Sequence, residues 1–141
     1  MADITRKEVE RLVKRRSPIK EVNITALNLD KFNFEGAIFT KCKFTGSTFN
    51  GSDFAFSHFE ECLIDDCEMY GSHMQESSFI ECDLSKSDLR DCVMIEVNFR
   101  QSILHRVDFI VHFLNIWSLL RVRGKSVAFY FNPYLLEILW V

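Results

Sequence analysis

The residues of this 141-residue chain that could do chemistry are its five cysteines, four histidines and twenty Asp and Glu. A cysteine nucleophile needs a histidine within hydrogen-bond reach, on the same side of the chain. All five cysteines lie two residues before a large apolar residue, as in Cys62-Leu63-Ile64. His58 and His73 stand directly before one, Phe59 and Met74. Alternate residues of an extended chain share a face, so these cysteines and histidines point to opposite sides. They cannot pair. His58 and His73 are fifteen apart, with no further histidine at ligand spacing, so no metal site is expected. Asp65-Asp66 and Glu60-Glu61 could serve as acid–base couples, but they lie in no evident cleft. There is no glycine-rich phosphate loop. The expectation is a protein without catalytic residues, metal or cofactor.

A strict period of five fixes where these groups lie. Every fifth residue from Leu29 through Phe34, Phe39 and onward to Leu104 and Phe109 is large and apolar, and these are called centres here. Two residues before each centre, from Ala37 to Cys92, the residue is always Ala, Cys or Ser. A period sustained over this length marks a repeat architecture. In an unbroken strand the second residue after each centre would also face inward. Those positions are Gly or polar except for Phe56, and four of the five glycines fall there. The chain must therefore turn a corner in every unit, where glycine is favoured.

Residues 46–55 (GSTFNGSDFA) and 82–91 (CDLSKSDLRD) carry the closest likeness to a known pattern. Over residues 24–110 the chain resembles the pentapeptide-repeat proteins. The resemblance implies an all-β solenoid, a right-handed quadrilateral β-helix with four repeats per coil and about four coils here. Residues twenty apart then stack. Phe39, Phe59, Phe79 and Phe99 form an aromatic column, and Cys42, Cys62 and Cys82 a column of small residues. Inward cysteines in such a core read as fillers in a reducing compartment.

Three segments follow. Residues 1–23 form an N-terminal capping helix and lead-in. Thr5-Arg6-Lys7-Glu8 is a capping-box pattern, Val9, Leu12 and Val13 follow at helical spacing, and Pro18 closes the segment, which predicts a helix over about 5–16. Arg11, Lys14, Arg15 and Arg16 read either as its solvated face or as a nucleic-acid contact. Residues 24–110 are the β-helix. Residues 111–141 read as a non-repeat apolar segment, partly helical, since continuing the count would place Trp117 in a small inward slot. That segment suits a C-terminal cap extended into a homodimer contact, or an interfacial membrane anchor with Trp and Tyr. Residues 1–20 are charged and lack an apolar core segment, so the expected location is cytoplasmic.

Charge points to a partner. Residues 24–110 hold fifteen Asp and Glu against seven Lys and Arg, a net of −8. Between Lys43 and Lys86 there are nine carboxylates and no Lys or Arg. On a four-sided coil the side backed by the Phe39–Phe99 column carries Glu60 and is edged by Glu61, Glu81, Glu76 and Glu96. These five are the candidate partner-binding residues. Their alternative role is solubility. An acidic solenoid disfavours direct nucleic-acid binding. The leading expectation is a non-catalytic protein–protein interaction module. The family likeness includes quinolone-resistance proteins that bind DNA gyrase and topoisomerase IV as DNA mimics, which implies those enzymes as partners. The alternatives are a membrane-associated or effector protein anchored by its tail, and a scaffold for some other protein.

Overall fold

The computed structural model describes residues 2–111 and 128–131. One turn of the chain takes twenty residues and has four sides. On the first side β1 (Ile19–Lys20), β2 (Ile38–Thr40), β3 (His58–Glu60) and β4 (Ser78–Ile80) stack in parallel, in the order β1-β2-β3-β4. The register is Ile19↔Phe39, Phe39↔Phe59 and Phe59↔Phe79. The other sides pair through single bridges at the same offset, such as Asn23↔Lys43, Lys43↔Leu63 and Leu63↔Asp83.

The residue before each centre also varies between sides. Elsewhere it is often Asn or Asp, whose side-chain oxygen accepts the N–H two residues on, as Asp53 does from Ala55 and Asp83 from Ser85. On the first side Ile38, His58 and Ser78 take that place, and the ladder continues as strand. Where Asn98 enters the first side, the Arg100 N–H turns to its Oδ1 and only an isolated bridge to Ser78 remains.

The corners fall where the sequence requires. All eighteen second-after-centre positions from Glu21 to Arg106 have φ between +51° and +67°, and fourteen of them are not glycine. The left-handed conformation costs an L-residue roughly 1–2 kcal/mol. It persists because each corner N–H from Glu21 to Lys86 bonds the coil above, as in Lys31 N–H to Asn50 O (3.0 Å) and Glu61 N–H to Ile80 O (3.0 Å).

The small inward residue does more than fit. Ser47, Ser52, Ser72, Ser87 and Ser102 each donate the hydroxyl to the carbonyl twenty-three residues earlier, at 2.7–2.9 Å. Cys42, Cys62, Cys67, Cys82 and Cys92 direct their thiols at the equivalent carbonyls, at 3.0–3.6 Å. These carbonyls point into the tube, where a buried acceptor left unmet costs about 1–3 kcal/mol. Ser52 also accepts the Phe32 N–H (3.0 Å). Ser57, in contrast, is buried with no hydrogen-bond partner for its hydroxyl. Ser52→Ala should therefore lower unfolding free energy by about 2 kcal/mol, whereas Ser57→Ala should be neutral or stabilising. Urea unfolding of the two variants checks the contrast.

Helix α1 (Arg6–Lys14) lies under the first coil. Thr5 caps it through the predicted box: the Thr5 N–H donates to Glu8 Oε2 (2.7 Å), and the Glu8 N–H donates to Thr5 Oγ1 (3.4 Å). Val9 is fully buried, and Leu12 and Val13 pack against the core. Phe32 occupies a small-residue position, so its ring projects toward the end of the tube. It stacks on Phe34 (4.4 Å), with the Arg6 guanidinium 5.4 Å from its ring centroid. Arg6 also donates to the carbonyls of Asn28 (2.7 Å) and Asp30 (3.0 Å).

Two boundaries differ from the sequence reading. The coil register begins at Ile19 rather than at residue 24, because Ser17, Ile19 and Glu21 already supply a small residue, a centre and a corner. At the other end, β5 (Asp108–Val111) pairs in parallel with β6 (Ala128–Phe131), with Phe109 opposite Phe129. The twenty-residue rise thus resumes within the segment assigned to a non-repeat cap. The helical, dimer and membrane readings of 111–141 otherwise fall outside the described residues. Among the described residues no helix is long and apolar enough to cross a membrane.

Candidate functional site

Among the described residues the tube interior is filled by packed, buried side chains. Phe39, Phe59, Phe79 and Phe99 stack at 5.0, 4.9 and 5.4 Å between ring centroids. Cys42, Cys62 and Cys82 stand beside this column, buried and free of disulfide. His58 lies on the outer surface, hydrogen-bonded to Ser78. Among the described residues no three His, Cys, Asp or Glu side chains are grouped to hold a metal ion.

Burial pushes the Cys67 and Cys92 thiols up from an ordinary 9.0 to about 12. A thiol pKa raised by folding stabilises the protein below the unfolded value, and that contribution is lost as pH rises toward the folded value. Thermal melts should therefore show stability falling from about pH 9 to pH 12, less so in the Cys67→Ser/Cys92→Ser double variant. At pH 8 the native thiols should resist labelling that the unfolded chain accepts.

The outer carboxylates divide into two groups. Asp53, Asp83 and Asp88 accept backbone N–H groups of their own loops, Asp65 accepts the Thr45 hydroxyl (2.6 Å), and Asp30 accepts the Asn50 N–H (2.9 Å). Asp88 is further tied to Arg90 (2.6 Å), whose guanidinium helps hold its carboxyl below the usual range against the opposing effect of burial. These aspartates build corners and ladders.

The glutamates of the first side do not. Glu60, Glu61, Glu76, Glu81 and Glu96 are all exposed. Glu60 lies in β3, Glu61 and Glu81 stack on one corner, and Glu76 and Glu96 stack on the other. Stacked corner residues sit about 5 Å apart at strand spacing. Glu61 contacts Lys41 at 3.6 Å, and Gln75 donates to Glu76 at 3.3 Å. The side-chain carboxylates of Glu60, Glu81 and Glu96 have no hydrogen-bond or ion-pair partner among the described residues. Like charges at that spacing oppose folding, so no structural need explains them. The side is bounded by Lys41 in the coil below and Arg100 in the coil above. Sequence reasoning missed its apolar component. Phe56, at the corner below Glu76, is 53% exposed, and Ile38 of β2 is 39% exposed. Phe56 was visible as the one large apolar corner residue.

Comparison with known proteins agrees with this geometry. Residues 42–115 match the family described as a pentapeptide repeat region, and residues 20–55 match pentapeptide repeats in eight copies. The chain is a pentapeptide-repeat protein. No curated protein matches its sequence. Among solved structures, this pentapeptide-repeat chain is similar to a trypsin-treated form of QnrB1, a plasmid-mediated fluoroquinolone resistance protein. The TM-score is 0.62 at 15% identity, over 66% of this chain and 51% of that one. It is also similar to a pentapeptide repeat protein of the Arabidopsis thaliana thylakoid lumen, with a TM-score of 0.68 at 17% identity over 73% and 72% of the two chains. A third is HetL of the cyanobacterium Nostoc, involved in heterocyst differentiation regulation, with a TM-score of 0.50 at 16% identity over 76% and 50%. The chain spans about half the length of QnrB1 and HetL. At these identities the likeness is one of fold, the quadrilateral β-helix.

Proposed function

We propose that this pentapeptide-repeat protein is a non-catalytic module whose first side binds a Lys- and Arg-bearing surface of another protein. In its concrete form it mimics DNA at a type II topoisomerase, gyrase or topoisomerase IV. The observation that carries this is the set of five exposed glutamates on one side, four of them stacked in pairs at coil spacing, without a structural task. Duplex DNA presents one charge per ~1.7 Å of axis, so a protein site built for it accepts closely spaced anions. The net −8 of residues 24–110 is of that order over the height of the coil stack. The fold shared with QnrB1, a fluoroquinolone resistance protein by its description, supports the same direction. Direct nucleic-acid binding is disfavoured by repulsion between like charges.

The test is a supercoiling assay. Added protein should alter gyrase or topoisomerase IV activity in a salt-sensitive manner, and relieve quinolone-induced cleavage. Unchanged activity at micromolar protein in low salt would eliminate the topoisomerase form.

A further inference from the structure

We propose that Phe56 is the apolar anchor of the first side, and that the partner segment docking there places an apolar side chain between basic ones. This rests on the proposed acidic interaction face and adds to it the kind of segment the face fits. Of the eighteen corner residues, Phe56 alone is large and apolar. Its φ is +58°, and it leaves about half of its surface in water. The corner column runs Gly36, Phe56, Glu76, Glu96, locked by the Gly36 N–H to Ala55 O (2.9 Å), Phe56 N–H to Gln75 O (2.9 Å) and Glu76 N–H to Ile95 O (2.8 Å). The ladder therefore holds the Phe56 backbone at the corner.

Below the ring the column is empty. A Cβ added at Gly36 would meet nothing within 4 Å. Ile38, 39% exposed, begins β2 beside that gap. The fold leaves an aromatic face, an aliphatic flank and open space at the Gly36 corner. Above and across from them stand Glu76, Glu60 and Glu61.

Charge selects the occupant. A second copy of this chain would bring the same glutamates against themselves, which like-charge repulsion opposes. A segment with Leu, Met or an aromatic residue between Lys or Arg satisfies both features. Arg also stacks on an aromatic face. Aromatic residues, Phe among them, are enriched at protein interfaces.

Two synthetic twelve-residue peptides of equal charge test this, one alternating Lys with Leu and one alternating Lys with Ser. Fluorescence anisotropy at low salt should show the Lys/Leu peptide bound about tenfold more tightly by the wild-type protein. Phe56→Ser should erase that difference, with the melting temperature held or raised. Equal affinity of the wild type for the two peptides would overturn the anchor. So would a difference that survives Phe56→Ser, or sedimentation showing that Phe56 instead drives self-association. The Glu60, Glu61, Glu76, Glu81, Glu96→Gln variant separates the two claims. If it binds both peptides as the wild type does, the acidic face fails whatever Phe56 does. If it weakens both equally while the Lys/Leu preference persists, the face and its anchor both stand.

Discussion

Phe79→Ala is expected to lower unfolding free energy by about 3–5 kcal/mol, a large part of the stability of a small domain. Phe79 is fully buried, with Phe59 at 4.9 Å on one side and Phe99 at 5.4 Å on the other. A solenoid has no second layer of core to slump into the gap. The backbone around Phe79 is bonded to neighbouring coils, with Ser78 N–H on Ser57 O and Phe79 N–H on Asn98 O. The walls therefore stay in place and the cavity remains. Phe79→Leu should cost only about 1–1.5 kcal/mol, since much of the volume is kept. Phe32→Ala, at the end covered by α1, should fall between the two. Urea midpoints for the three variants give the ranking. A Phe79→Ala loss below 1 kcal/mol would mean the aromatic column is not packed as described.

The second large effect is on binding. Changing Glu60, Glu61, Glu76, Glu81 and Glu96 together to Gln should weaken partner binding about a hundredfold. Each exposed charge facing an opposite one contributes roughly 0.5–1 kcal/mol, and five give about 3 kcal/mol. The same variant should melt at or above the wild-type temperature. It relieves like-on-like stacking at the Glu61/Glu81 and Glu76/Glu96 corners and gives up only the weak Lys41 contact. A structural role would show the reverse, reduced stability with little change in binding. Changing Asp53 and Asp83 to Ala is the control. It should lower stability through their lost hydrogen bonds to the Ala55 and Ser85 N–H groups, and leave binding largely intact. Titrations at two salt concentrations should show a shallower salt dependence for the glutamine variant, because fewer charge pairs remain for salt to screen.

Much of the fold can be read in the sequence because one inward set recurs without interruption. Phe34, Phe54 and Phe59 at centre positions and Ser52 and Cys62 two residues earlier leave little freedom in which faces turn inward. The requirement for corners was also legible, since Lys41 and Glu81 cannot be buried. What the small position does was not legible. Size explains Ser and Cys equally well, and only the stacked coils show the carbonyl that each hydroxyl or thiol meets. The start at Ile19 escaped notice because Val22 and Leu27 are too large to read as the small residue of their units. The resumption of the register at Ala128–Phe131 was hidden by the neighbouring Trp117 and the run of apolar residues. The candidate side was found by counting in fives, but its division of labour was not. Aspartates and glutamates look alike as charges, and only hydrogen bonds separate the aspartates that build loops from the glutamates that do not.

Site-specific photo-crosslinking to purified gyrase tests the interaction side most directly. A photoreactive residue is placed in turn at position 60 on the first side, 85 on the second, 70 on the third and 75 on the fourth. Crosslinks concentrated at position 60, lost at high salt, are the expected result. Equal yield from all four sides, or a maximum at 85 or 70, would contradict it.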